Sequence, residues 1–275
     1  MATQAERRAG GIDTLRTLSG GAFEPERAAR AMVRSHGALG TFGVDHILGN
    51  LWNRPQLSRR DRSLIVVTFL ATIGATDELA FHIKGALNHG LSREQVEEII
   101  NQVAGYAGFP MAMQAARVLN GVWSELDDSE RPEIKTEAAL LDDEARWARA
   151  NDVRTTMLAG RNAQDPVEDR AAIVEALGGV GEMAFDFAFG ELWARDVLSR
   201  RDRSMVTVSI LAMNRCTDEL KIHVRAALNH GCTREELEEV MVQLTGYGGF
   251  PKAVEGIRTA RAVFARIDQR AKESQ

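Results

Sequence analysis

The sequence predicts an all-α protein made of two tandem helical bundles related by internal duplication. Three observations carry that expectation. Residues 49–124 repeat as residues 190–265 at a constant offset of 141, without a gap, and 37 of the 76 aligned pairs are identical. Helix-start and helix-stop signals recur at matching places in both copies. Alternating strand patterns are absent, whereas apolar residues such as Leu79, Ile83, Ala86 and Leu87, then Val96, Ile99, Ile100 and Val103, follow the 3.6-residue period.

Each half is expected to hold about six helices, near 25–36, 41–54, 59–74, 77–89, 93–105 and 110–126, with equivalents 141 residues later. Upstream of the strongest repeat, Gly37, Gly40 and Asp45 pair with Gly178, Gly181 and Asp186. Ser58 followed by Asp61 opens the helix that carries Leu64 to Ile73. Ser92 with Gln95, and Thr233 with Glu236, form the same start signal before the next apolar run. Gly90 and Gly231 suit left-handed carboxyl-terminal caps, and Pro110 and Pro251 suit the first turn of a final helix. The division expected is a first module at 1–126, a charged connector at 127–150 that runs into a helix, and a second module at 151–275.

Composition narrows the function classes. Of 275 residues, 44% are hydrophobic and 27% charged, the net charge is −5, and no apolar run approaches the roughly 20 residues that cross a bilayer. The amino-terminal MATQAERRAGG lacks an apolar core segment, so a soluble, cytoplasmic protein is expected, with no membrane partner. The many arginines are balanced by acids, which argues against a nucleic-acid partner. The two cysteines, Cys216 and Cys232, stand opposite Ala75 and Leu91, so the repeat encodes no disulfide or paired thiol; no zinc spacing or phosphate-cradling loop is present either. No cofactor and no metal are expected.

The residues able to carry chemistry lie in the repeated blocks. Glu78 and His82 sit four apart on one predicted helix, and Glu219 and His223 repeat them. A carboxylate beside an imidazole can orient it and raise its basicity, making a proton-transfer pair; the alternative is a surface ion pair. Arg59, Arg60 and Arg62, with Arg200, Arg201 and Arg203, crowd a helix start where positive charge opposes the dipole. They either pair with acids on neighbouring helices or hold an anionic ligand, and Arg62 and Arg203 are the choices for ligand contact. Trp52, Trp193, Tyr106 and Tyr247, with Phe109 and Phe250, form either core or the wall of an apolar substrate pocket. His89 and His230 read as polar cap residues. His46 faces Phe187 in the other copy and has no counterpart.

These blocks resemble the carboxymuconolactone decarboxylase family. The similar stretches are LGNLWNRPQLSRRDRS, TDELAFH, ALNHGLSREQVEEI and GYAGFP in the first copy, and FGELWARDVLSRRDRS, TDELKIH, ALNHGCTREELEEV and GYGGFP in the second. The resemblance covers roughly 40–125 and 180–265 and implies the alkylhydroperoxidase D-like all-helical fold. It implies two chemistries. The peroxidase branch carries Cys-x-x-Cys at the start of the histidine-bearing helix; here those positions are Ala75 and Glu78, and Cys216 and Glu219, so no dithiol forms. What remains is similar to the decarboxylase branch, a cofactor-free lyase or isomerase acting on a small unsaturated lactone or carboxylic acid. In that reading His82 or His223 moves the proton, Glu78 or Glu219 orients it, and an arginine holds a carboxylate of the anionic substrate. The family's ring assemblies imply a homo-oligomer, a trimer before a dimer. Thiol-dependent peroxidase activity resting on Cys216, and a non-catalytic helical scaffold, are the competing readings.

Overall fold

A computed structural model describes residues 2–139 and 141–273, and every regular element among them is helical. The first half runs α1 (Gln4–Ser19), α2 (Pro25–His36), α3 (Ala38–Phe42), a π-helical segment (Gly43–Leu48), a 3₁₀ turn (Leu51–Asn53), α4 (Arg59–Ile73), α5 (Thr76–Asn88), α6 (Arg93–Tyr106) and α7 (Phe109–Asp127). The second runs α8 (Asp143–Leu158), α9 (Pro166–Leu177), α10 (Gly179–Met183), a longer π-helical segment (Ala184–Trp193), α11 (Arg200–Asn214), α12 (Thr217–Asn229), α13 (Arg234–Tyr247) and α14 (Phe250–Glu273). No helix is long and apolar enough to cross a membrane.

The start signals work as the sequence implies. Ser58 accepts from the Asp61 amide, and Ser92 with Gln95 and Thr233 with Glu236 close full capping boxes, which satisfies amides that a helix start leaves orphaned. Two expectations need correction. The helix expected over 41–54 is three pieces, because α3 ends at Phe42 and the chain then widens into the π segment before its 3₁₀ turn. The sequence reading also omitted α1, whose polar surface hides a backbone contact: a Cβ on Gly11 would lie 2.2 Å from the Val44 carbonyl oxygen. A glycine pair that resembles a helix breaker is what lets α1 press against the π segment.

α4 and α11 form the spine. They pack on each other, and all residues from Asp61 to Thr72 and from Asp202 to Met213 are buried. One hydrophobic core extends from Leu15 through both spine helices to Phe264, so the halves share an interior.

The repeated arginines clamp the halves together. Arg60 pairs with Asp202 at 2.7 Å and, reciprocally, Arg201 pairs with Asp61 at 3.0 Å. Arg62 donates to Glu239 at 2.8 Å and Gln243 at 2.6 Å; Arg203 donates to Glu98 at 2.6 Å and Gln102 at 3.1 Å. Arg54 and Arg195 add a second guanidinium to each of those glutamates. Arg62 and Arg203 have no exposed surface. Of the two roles open to them, this geometry favours pairing: each fork engages a glutamate and a glutamine of the opposite half and a backbone carbonyl of its own, although Arg62 Nε is buried without a partner among the described residues. A connector strap follows α7, and the buried Glu97 carboxylate holds it by accepting from the Lys135 and Thr136 amides and from Trp123 Nε1.

Candidate active site: two cavities shared between the halves

His82 lies on the buried face of α5 together with Leu79, Ile83 and Ala86. Its ring stacks on Trp52 with centroids 5.7 Å apart and planes 16° from parallel, and it meets the edges of Phe81 and Tyr247. Tyr247 comes from α13, in the other half, and its hydroxyl accepts a 2.8 Å hydrogen bond from Trp52 Nε1. The second copy repeats the arrangement. His223 stacks on Trp193 at 6.0 Å and meets the edge of Tyr106, whose hydroxyl accepts from Trp193 Nε1 at 2.6 Å. Each imidazole is therefore boxed by its own tryptophan and by a tyrosine from the opposite half.

Both boxes open on apolar cavities of the size that holds a small ligand. The first, about 540 Å³, is lined by Leu15, Met32, Ile47 and Phe81, with Glu78, His82 and Tyr247 as its polar groups beside Asp77. The second, about 690 Å³, is lined by Met157, Leu177, Phe187 and Phe189, with Glu219, His223, Tyr106 and Arg154. Two further hollows, of about 480 and 320 Å³, border the second cavity, but neither is lined by a histidine or a tyrosine.

Desolvation dominates the electrostatics. Burial first, then repulsion from His89, pulls the His82 pKa down to about 3; burial and His230 pull His223 to about 4. Both rings are neutral near pH 7. Their Nδ1 atoms are buried and have no hydrogen-bond partner among the described residues. Glu78 and Glu219 line the same cavities from exposed positions, but no hydrogen bond joins either carboxylate to its histidine, so the expected orienting contact is not made in this state. His89 and His230 stand behind the tryptophans as the caps of α5 and α12. His89 is held by Ser63 at 2.7 Å and Thr17 at 3.0 Å, and His230 by Ser204 at 2.8 Å and Thr156 at 3.0 Å.

The structure thus brings together Glu78, His82 and Tyr247, and Glu219, His223 and Tyr106. Trp52 and Trp193 support the rings from behind rather than lining the cavities. Arg62 and Arg203, the sequence's choices for ligand contact, lie outside both cavities. Phe109 and Phe250 are exposed. α2 and α9 match helices expected from the sequence, and α8 the helix after the connector, but their role as cavity walls, like that of the unexpected α1, was not read because they fall outside the strong repeat. Arg154, on α8, is one such wall residue. It pairs with Asp169 at 2.8 Å and lies over the Phe189 ring. Neither thiol is activated: burial and Glu219 raise the Cys216 pKa, and burial pushes Cys232 up to about 12.

The profile of the carboxymuconolactone decarboxylase family matches residues 43–121 and 179–262. The chain belongs to that family. The two matched stretches coincide with the two copies of the repeat and include both histidine boxes. A 4-carboxymuconolactone decarboxylase of Acinetobacter baylyi is 32% identical over 124 residues, which span 45% of this chain and 90% of that protein. A nitrosuccinic acid decarboxylase of Metarhizium robertsii is 30% identical over 89 residues, 32% of this chain and 62% of that protein. These relatives make this a decarboxylase-like protein of two fused family modules.

Proposed function

We propose that the chain is a lyase that releases carbon dioxide from a small unsaturated lactone or carboxylic acid by histidine acid/base transfer, without a cofactor. The observation that carries this reading is a buried, neutral imidazole with an unsatisfied Nδ1 beside an apolar cavity, present twice. An apolar cavity strips water from an entering carboxylate, whose charge then raises the proton affinity of the adjacent imidazole. As the carbon–carbon bond to the carboxylate breaks, its electron pair passes into the conjugated carbonyl, and the imidazole, having first taken up a proton from solvent, delivers it to carbon as carbon dioxide leaves. Tyr247 Oη already accepts from Trp52, which leaves its own proton for an oxygen accumulating charge; Tyr106 accepts likewise from Trp193 but has Thr207 as a further hydrogen-bond partner. Glu78 and Glu219, at the rims, exchange protons with solvent in this scheme.

The test uses 4-carboxymuconolactone and nitrosuccinic acid as first substrates, with carbon dioxide release as the readout. Replacing His82→Ala and His223→Ala together is expected to lower turnover by roughly 10²–10⁴. Undiminished release by the double variant, on any substrate the unaltered protein turns over, would overturn the proposal.

A further inference from the structure

Beside the second cavity lies a cleft of about 480 Å³ whose walls include Arg161, Lys221, Arg225, Arg266 and Arg270. Met157, Leu158 and Ile222 form a partition common to the cleft and the cavity. Lys221 is engaged by Asp218 at 2.7 Å. Arg161, Arg225 and Arg266 make no ion pair or hydrogen bond among the described residues. The cations come from three separate places in the fold: the chain just after α8, the helix α12 and the helix α14.

The duplication supplies an internal control. Arg225 stands opposite Lys84, and Arg266 stands opposite Glu125, at the constant offset of 141. In the first half those positions neutralise each other, with Lys84 Nζ 2.7 Å from Glu125. The second half has exchanged the acid for a base, so the same two helices now present like charges. Gly20, Ala80 and Ser129 stand opposite Arg161, Lys221 and Arg270, so the first half has none of the additional cations. Arg225 feels the change: burial first, and then repulsion by Arg161, Arg270 and Arg266, depress its proton affinity. Arg161, Arg225 and Arg266, three guanidinium groups without an acid partner among the described residues, focus positive potential in one concavity and offer the planar donor forks that suit oxyanions.

We infer that this cleft is an anion site, peculiar to the second half, for a small molecule bearing at least two phosphate or carboxylate groups. A single negative charge would leave most of the cluster unbalanced. The inference rests on charge placement alone and does not depend on the decarboxylation reading.

Titration calorimetry on the full chain, with inorganic pyrophosphate and citrate as probes, tests it. The first probe represents phosphate ligands and the second carboxylate ligands, so the tighter binder identifies the chemistry. Arg266→Glu recreates the charge pairing of the first half and is expected to fold at least as well, while raising the dissociation constant of that probe tenfold or more. Arg225→Ala is expected to weaken binding in the same direction, and binding to the unaltered chain should weaken with added salt. Absence of binding by the unaltered chain to both probes, or equal binding by the unaltered chain and the Arg266→Glu protein, overturns the inference.

Discussion

Differences of a single residue separate two sites that otherwise repeat each other. Gln102 and Gln243 each receive an arginine of the opposite half, but only Gln102 finds a second partner, donating to Thr207 at 3.0 Å. Val66 stands where Thr207 does, and Gln243 Nε2 is buried without an acceptor. Val66→Thr is therefore expected to stabilise the protein by about 1 kcal/mol by satisfying that amide, visible as a higher thermal midpoint. A lowered midpoint would show that the hydroxyl costs more to bury than the amide gains.

Between elements, the strength of the clamps depends on burial. Glu239 is almost fully buried between Arg62 and Arg54, whereas Arg93 and Asp127 pair on the surface with about a quarter of each side chain exposed. Glu239→Ala leaves a guanidinium buried without its counter-charge and is expected to cost about 3–5 kcal/mol in urea denaturation. Arg93→Ala is expected to cost less than about 1 kcal/mol. Most elements that hold this framework were legible in the sequence, since α4, α6 and α13 announce themselves through capping residues and apolar periodicity. α1 was not, because beside Leu15 and Leu18 its buried face is Gly11 and Thr14, which give the sequence little apolar contrast to read. His82 with Glu78 was legible as a pair on one helix face. That Tyr247 completes the box from the other half was not, because no local pattern encodes a contact across 165 positions of chain, from residue 82 to residue 247.

For the molecule as a whole, the buried histidines set how stability responds to acid. His82 falls to about 3, and His223, His89 and His230 to about 4, from an ordinary 6.5. Between about pH 6.5 and pH 4 the unfolded chain binds protons that these folded-state rings exclude. Stability is thus expected to fall as pH drops through that window and to be fully present above it, by about 1.4 kcal/mol per pH unit for each fully buried ring. Depressed carboxylates such as Asp45 and Asp186, held by Arg8 and Arg170, act only at lower pH. Denaturant midpoints measured from pH 7 to pH 4 check this, and His82→Phe should flatten the slope.

Each histidine chamber borrows its tyrosine from the other end of the chain, much as two identical subunits would trade side chains across a dyad. Joining the partners in one polypeptide removes the obligation to stay identical. A change at Phe187 or Arg154 alters one chamber alone, while the exchanged tyrosines keep both on a common frame. The two chambers can therefore differ in their walls within one chain, while each still depends on a side chain that the other half supplies.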